Sequence, residues 1–261
     1  MLIAPTRFSM SKLHTRTALL SHAGGRSYNE DAAGYKEGCW VVADGLGGHG
    51  GGDIASQMVV NSLLQQDTLT ASMEPLSITR AILIADEIIR KKQQTEPRLS
   101  RMRTTVVMLC SDGNKALWGH LGDSRLYHLR QGEFNFHTRD HSVPQMLVNA
   151  GKIAQHEVRT HEDRNRILRS LGSTKTNFAT VPHEAIAIKS GDVFLLCTDG
   201  FWEYITEEVM ESTLSKAKDP QHWLDMMNEQ LLANAPPKHD NYTAIAVFFE
   251  NKNWFNLGLW K

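Results

Sequence analysis

The sequence lacks the features that most readily assign a chain to a class. Its 261 residues contain only three cysteines, an odd number, so a disulfide framework is not expected. Cys39, Cys110 and Cys197 each sit in an apolar run without CxxC spacing, and they read as buried, reduced, small hydrophobes. An excess of either charge is also missing: 28 Lys and Arg face 29 Asp and Glu, for a formal net charge of −1. That balance excludes the basic surplus usual in nucleic-acid binders and in polybasic membrane-surface proteins. No apolar run approaches the roughly 20 residues of a membrane span. No charged stretch followed by an apolar core opens the chain, so no secretory leader is expected. The expectation is a cytoplasmic protein with no nucleic-acid partner and no membrane partner.

Internal repeats and Pro/Gly/Ser linkers are absent too. The chain is 41% hydrophobic, enough for a sizeable core. One domain is expected over residues 12–250, after an extension at 1–11 and before an apolar tail at 251–261. The tail carries Trp254, Phe255, Leu257, Leu259 and Trp260. It either packs back on the domain or docks a partner, and truncation after Glu250 separates the two.

Short β-branched or apolar runs predict strands at Cys39–Ala43, Thr104–Cys110, Ala116–Leu121, Arg125–Leu129, Val193–Cys197 and Ala244–Phe249. A hairpin is expected at Leu129–Glu133, with Gly132 free to take a positive φ. Helical spacing appears at Ile54, Met58, Val59 and Leu63. It recurs over Leu76–Gln94, where Ile78, Ala81, Ile82, Ala85, Ile88 and Ile89 share a stripe, and over Pro220–Asn234. Strands cluster and helices cluster, which predicts an α+β fold with helices layered on antiparallel sheet.

The chemistry is concentrated in acidic dipeptides at the ends of apolar strands: Asp44-Gly45, Asp199-Gly200 and Asp240-Asn241, with Asn29-Glu30-Asp31 near the start. Each alone reads as a turn. Together, carboxylates converging from rigid strand ends would repel one another unless cations lay between them. An all-oxygen donor set selects hard cations such as Mg²⁺ or Mn²⁺. Zinc fits less well, because the histidines show neither HExxH nor finger spacing. The glycine run from Asp44 to Asp53 invites a nucleotide-loop reading, but it opens on a carboxylate and has no Gly-Lys-Ser/Thr. Arg26, four residues before Glu30, offers a planar fork of donors suited to phosphoryl oxygens.

Read in order, Arg26-Ser-Tyr-Asn-Glu30-Asp31, Val42-Ala-Asp44-Gly-Leu-Gly-Gly-His49, Gly119-His-Leu-Gly-Asp123-Ser-Arg125, Asp140-His-Ser142, Leu171-Gly-Ser173, Thr198-Asp199-Gly200 and Asp240-Asn241 resemble the metal-dependent serine/threonine protein phosphatases of type 2C. The bacterial branch is the closer match, and the resemblance runs from about residue 12 to about residue 250. It implies a central β-sandwich of two antiparallel sheets flanked by helices, in α-β-β-α layers. It implies two core Mn²⁺ or Mg²⁺ ions and a weaker third. Asp44 would bridge the core pair, and the Gly45 carbonyl would bind one ion. Asp199 and Asp240 would bind the other, while Glu30 and Asp31 would hold metal-bound waters. Asp123 would serve the third ion, and Arg26 would grip the phosphate. The reaction implied is hydrolysis of phosphoserine or phosphothreonine by direct attack of a metal-bridging water.

Residues 144–170 match the family's variable flap, where Arg164, Arg166 and Arg169 are candidates to touch the phosphoprotein or to lie solvated at its edge. The family's eukaryotic members often carry His directly after the bridging Asp-Gly; here Leu46 stands there, so the proton donor is unassigned, and His49 is not promoted to that role. The expected partner is a phosphorylated protein, a bacterial Ser/Thr kinase or its target, and the chain is expected to act as a monomer. A catalytically silent binding module of the same fold, or a phosphatase of small esters, are the alternatives.

Overall fold

The structure, a computed structural model, describes residues 12–47, 51–67, 69–174 and 178–251. The extension at 1–11, His49 and the apolar residues of the tail therefore lie outside the described residues.

The strands are β1 (His14–His22), β2 (Ala32–Lys36), β3 (Cys39–Ala43), β4 (Gly45–Leu46), β5 (Arg103–Thr104), β6 (Val106–Ser111), β7 (Lys115–Leu121), β8 (Arg125–Arg130), β9 (Glu133–His137), β10 (Ile186–Ala187), β11 (Asp192–Cys197) and β12 (Tyr242–Glu250). The helices are α1 (Gly52–Leu64), α2 (Leu69–Ser72), α3 (Pro75–Thr95), α4 (Val143–Asn149), α5 (Asp199–Trp202), α6 (Glu207–Leu214) and α7 (Pro220–Asn234).

Two five-stranded sheets form the centre, in the orders β1-β12-β11-β8-β9 and β10-β7-β6-β3-β2. Every pairing in them is antiparallel. Each central strand is buried on both faces, which is why its sequence reads as a near-continuous apolar run. Along β3, Trp40 and Val42 join the layer between the sheets, where Phe194, Leu196, Ile245, Val247 and Phe249 meet them. The alternate residues Cys39, Val41 and Ala43 pack outward against α1 and α3. The other sheet turns Val193, Leu195, Ala244 and Ala246 outward under Trp223, Met227 and Leu231 of α7. The layers are therefore helix, sheet, sheet, helix, as expected.

Pro220 occupies the first turn of α7, and the Asp219 carboxylate accepts the His222 N–H at 2.8 Å, capping the helix. The hairpin between β8 and β9 turns through positive φ at both Gln131 (57°) and Gly132 (83°). Two expectations need adjustment. The single strand over Thr104–Cys110 is broken at Thr105, whose backbone and hydroxyl are turned to Asp44. Ile88 leaves the buried stripe of α3 and is 38% exposed, while Ile78, Ala81, Ile82, Ala85 and Ile89 stay in it.

Candidate functional site

The acidic dipeptides flank strands of both sheets at the same end of the sandwich, Asp44 and Asp199 after β3 and β11, Asp31 and Asp240 before β2 and β12. Asp44 follows β3. Its N–H donates to Thr105 Oγ1 (3.0 Å), and its carbonyl accepts from the Thr105 N–H (2.9 Å) and Thr104 Oγ1 (2.7 Å). The main chain is thus fixed on both sides. The Asp44 carboxyl is held well above the usual carboxylate range by burial, then by the charges of Asp199, Asp31, Asp123 and Asp240. Gly45 is required next to it: a Cβ there would lie 2.3 Å from the Gly52 carbonyl oxygen and 2.4 Å from that of Glu30.

Asp199 opens α5, directly after β11 and Thr198. Burial also raises it well above the usual range, followed by Asp123, Glu203, Asp240 and Asp31. The Thr198 hydroxyl donates to Asp31 Oδ2 (2.9 Å) and accepts the Thr243 N–H (3.0 Å), tying β11, β12 and the start of β2 together. Asp31 is pushed up to about 7 by burial, against the pull of its threonine hydrogen bonds.

Asp240 and Asn241 precede β12. Asn241 Oδ1 accepts the Glu30 N–H (2.8 Å), while its Nδ2 donates to the carbonyls of Ala23 (2.8 Å) and Tyr28 (3.1 Å). This amide staples the loop that carries Arg26, Glu30 and Asp31. Asp240 Oδ2 pairs with Arg26 Nη2 at 2.9 Å; both side chains remain open to solvent, at 44% and 56%. Glu30 is raised by burial, then by Asp53 and Asp240, and its Oε1 is buried without a hydrogen-bond partner.

Asp123 lies in the turn between β7 and β8. It is 1% exposed, both its carboxylate oxygens lack a hydrogen-bond partner, and burial followed by Asp140 pushes it up to about 7. The flap arginines separate. Arg164 pairs with Glu203 at 2.9 Å, beside the end of α5, and Arg166 pairs with Asp163 at 3.2 Å. Arg169 is exposed, and it adds positive charge beside His141.

The structure thus brings Asp31, Asp123, Asp199 and Asp240 within electrostatic reach of Asp44, with Glu30 and Arg26 at the margin. Among the described residues no group of three or more His, Cys, Asp and Glu is placed to hold a metal ion by itself. The donor set fits a hard cation all the same. Such a cation keeps several of its waters and takes one or two carboxylates. The Asp123 oxygens and Glu30 Oε1 are buried without a hydrogen-bond partner, and burial disfavours the charged form of both acids, a cost that a bound cation would offset. Sequence reasoning did not assign roles to three residues that build the site: Thr105, Thr198 and Asn241. Thr198 and Asn241 were in view as parts of the Thr-Asp-Gly and Asp-Asn motifs, but nothing local showed what they bind.

A sequence model of the protein phosphatase 2C family matches residues 20–239. Over 190 residues the chain is 33% identical to the serine/threonine protein phosphatase PstP of Mycobacterium tuberculosis, which covers 72% of this chain and 36% of that one. It thus spans about a third of that relative's length. The catalytic domain of PstP in complex with two manganese ions superposes with a TM-score of 0.80 at 28% identity, covering 92% of this chain and all of that one. PppA of Pseudomonas aeruginosa, described as a key regulatory component of T6SS, superposes with a TM-score of 0.77 at 31% identity, covering 91% and 99%.

Proposed function

The chain belongs to the protein phosphatase 2C family, and from that premise we propose that it is a metal-dependent phosphatase of phosphoserine and phosphothreonine in proteins. The observation that carries the reading is the convergence of Asp44, Asp199 and Asp31 at one end of the two sheets, where burial and then neighbouring carboxylates raise all three, with the solvent-open pair of Arg26 and Asp240 beside them. Asp44 with the Gly45 carbonyl would hold one core cation, Asp199 and Asp240 the other, with Asp44 shared. Glu30 and Asp31 would act through water, and Asp123 would take a third. When bound, Mn²⁺ or Mg²⁺ supplies Lewis acidity and a lowered pKa for water.

This chain's own residues do the rest. Arg26 is exposed enough to exchange Asp240 for the terminal oxygens of a phosphoryl group, which a guanidinium fork fits. Asn241 keeps the Arg26 loop in register with Asp240. The exposed Arg166 and Arg169 of the flap would meet the phosphoprotein, while Arg164 pairs with Glu203 at 2.9 Å. Among the described residues no helix is long and apolar enough to cross a membrane. A monomer opposing a bacterial Ser/Thr kinase in signalling completes the reading, and the likeness to PppA supports a secretion-linked setting of that kind.

The test is hydrolysis of a phosphothreonine peptide with Mn²⁺, with chelator, and by Asp199→Ala. The chelator should abolish turnover. The substitution should lower kcat/KM by on the order of 100-fold or more, since one electrostatic contact to the transition state alone is worth about that much. Turnover that survives both treatments would overturn the metal-dependent reading. No turnover with any divalent cation would leave a silent binding module.

A further inference from the structure

Asp123 is the one carboxylate among the described residues with both oxygens buried and no hydrogen-bond partner for either. Its main chain, by contrast, is held firmly. The Asp123 carbonyl accepts the indole N–H of Trp202 at 2.9 Å. Trp202 is 1% exposed and closes α5, the short helix that Asp199 opens. One indole therefore joins the turn carrying Asp123 to the helix carrying Asp199.

The indole is itself oriented. The Arg125 guanidinium carbon lies 3.5 Å from its ring centroid. Arg125 is fixed in turn by a two-pronged contact with Asp140, at 2.8 Å for both bonds, and by the Tyr127 hydroxyl at 2.9 Å. The Arg159 guanidinium carbon stands 5.7 Å from the same ring centroid. Arg159 donates to the Ile205 carbonyl at 3.0 Å and pairs with Glu207 at 3.1 Å. A buried indole N–H needs an acceptor in any setting; what sets Trp202 apart is that its acceptor is the Asp123 carbonyl and that Arg125 is stacked on its ring.

We propose that Trp202 is a positioning residue for a cation at Asp123. Its N–H fixes the Asp123 peptide, and so the direction in which the unpartnered carboxylate leaves the turn; the Arg125 stack holds the indole for that task. The inference rests on the reading of Asp123 as a cation ligand. Partners of this kind, one step behind the ligand, typically change metal affinity about 10- to 100-fold when removed.

Two measurements test it. The chain has six tryptophans and so six indole N–H signals, and Mg²⁺ is diamagnetic, so a ¹⁵N–¹H titration follows each of them. The Trp202 signal, identified by its loss in Trp202→Phe, should move with the weaker phase of Mg²⁺ binding measured by calorimetry. Trp202→Phe keeps a ring over Arg125 and loses the N–H. It should weaken that phase about tenfold and leave the tighter phase within about twofold. Asp123→Ala should abolish the weaker phase. If Asp123→Ala abolishes it and Trp202→Phe leaves it unchanged, the inference falls alone. If the weaker phase survives Asp123→Ala, the ligand reading falls and the inference with it. Should Trp202→Phe not fold, the parent signal decides once assigned through ring-proton contacts: a Trp202 indole that moves only with the tighter phase overturns the proposal.

Discussion

Asp31 and Arg26 show how single groups at this site are set by what surrounds them. Asp31 is raised by burial to about 7, from an ordinary value of 3.8. Its folded form therefore binds a proton more tightly than its unfolded form between those limits. The metal-free fold gains from protonation there and loses that gain as pH rises from about 4 to 7. Asp31→Asn removes the charge and keeps an acceptor for the Thr198 hydroxyl. In metal-free protein the variant should melt above the parent at pH 8, by on the order of 5 °C, and the gap should close as pH falls toward 4. A gap that is constant with pH, read by calorimetry in chelator, would contradict the assignment. Arg26 differs because it stands in solvent with Asp240 as its partner. Arg26→Ala should raise KM for a phosphopeptide by roughly 10- to 100-fold, the worth of a charge-assisted hydrogen bond. It should leave Mn²⁺ affinity nearly unchanged, and equal losses of both would place Arg26 among the metal-holding groups instead.

The strands differ in how plainly their sequences announced them, and the reason lies in which faces are covered. Cys39–Ala43 was legible to the residue because both its faces are buried and every position is apolar. Pro220–Asn234 was legible because a proline and a proline pair bracket a helical stripe. β1 was not, since it is an edge strand whose His-Thr-Arg-Thr opening is half in solvent. The acids at the strand ends could be read from their dipeptides, but the groups that hold them act at a distance. Thr198 reaches Asp31 across 167 positions of chain, and Asn241 reaches Glu30 across 211. No local pattern encodes such pairs.

One element-level contact invites a stability measurement away from the site. Asp192 and Arg130 stand opposite each other on β11 and β8. Arg130 makes two bonds of 2.7 Å to the fully buried Asp192 carboxylate, which also accepts the Lys189 N–H at 2.8 Å. Burial pushes this carboxyl up, but Arg130, His128 and the Lys189 N–H outweigh it and hold it at about 2. Its contribution is complete above about pH 4 and is lost as pH falls toward 2. Asp192→Asn should cost about 3 kcal/mol in urea unfolding at pH 7, with peptide hydrolysis unchanged per folded molecule.

At the scale of the whole molecule the near-zero net charge conceals where the charge lies. Of 29 acids, Glu30, Asp31, Asp44, Asp123, Asp199 and Asp240 converge at one end. They come from both sheets: Asp44 and Asp31 border β3 and β2, while Asp199 and Asp240 border β11 and β12. The layer between the sheets is apolar and excludes water, so these acids repel across the mouth of a sandwich whose halves must stay together. A cation held between Asp44 and Asp199 would therefore act on the entire fold, since separating the sheets would break its coordination. Binding to the folded state alone adds about 2.7 kcal/mol at a concentration 100-fold above Kd. For a chain of this size that is roughly 5–10 °C in Tm. Calorimetry of the parent should show one transition, moved up by that amount in Mn²⁺ and returned by chelator. Asp199→Ala should lose most of the shift. A Mn²⁺ effect confined to a minor early transition would mean that the cation steadies only the loops, and that the two sheets do not depend on the site to stay joined.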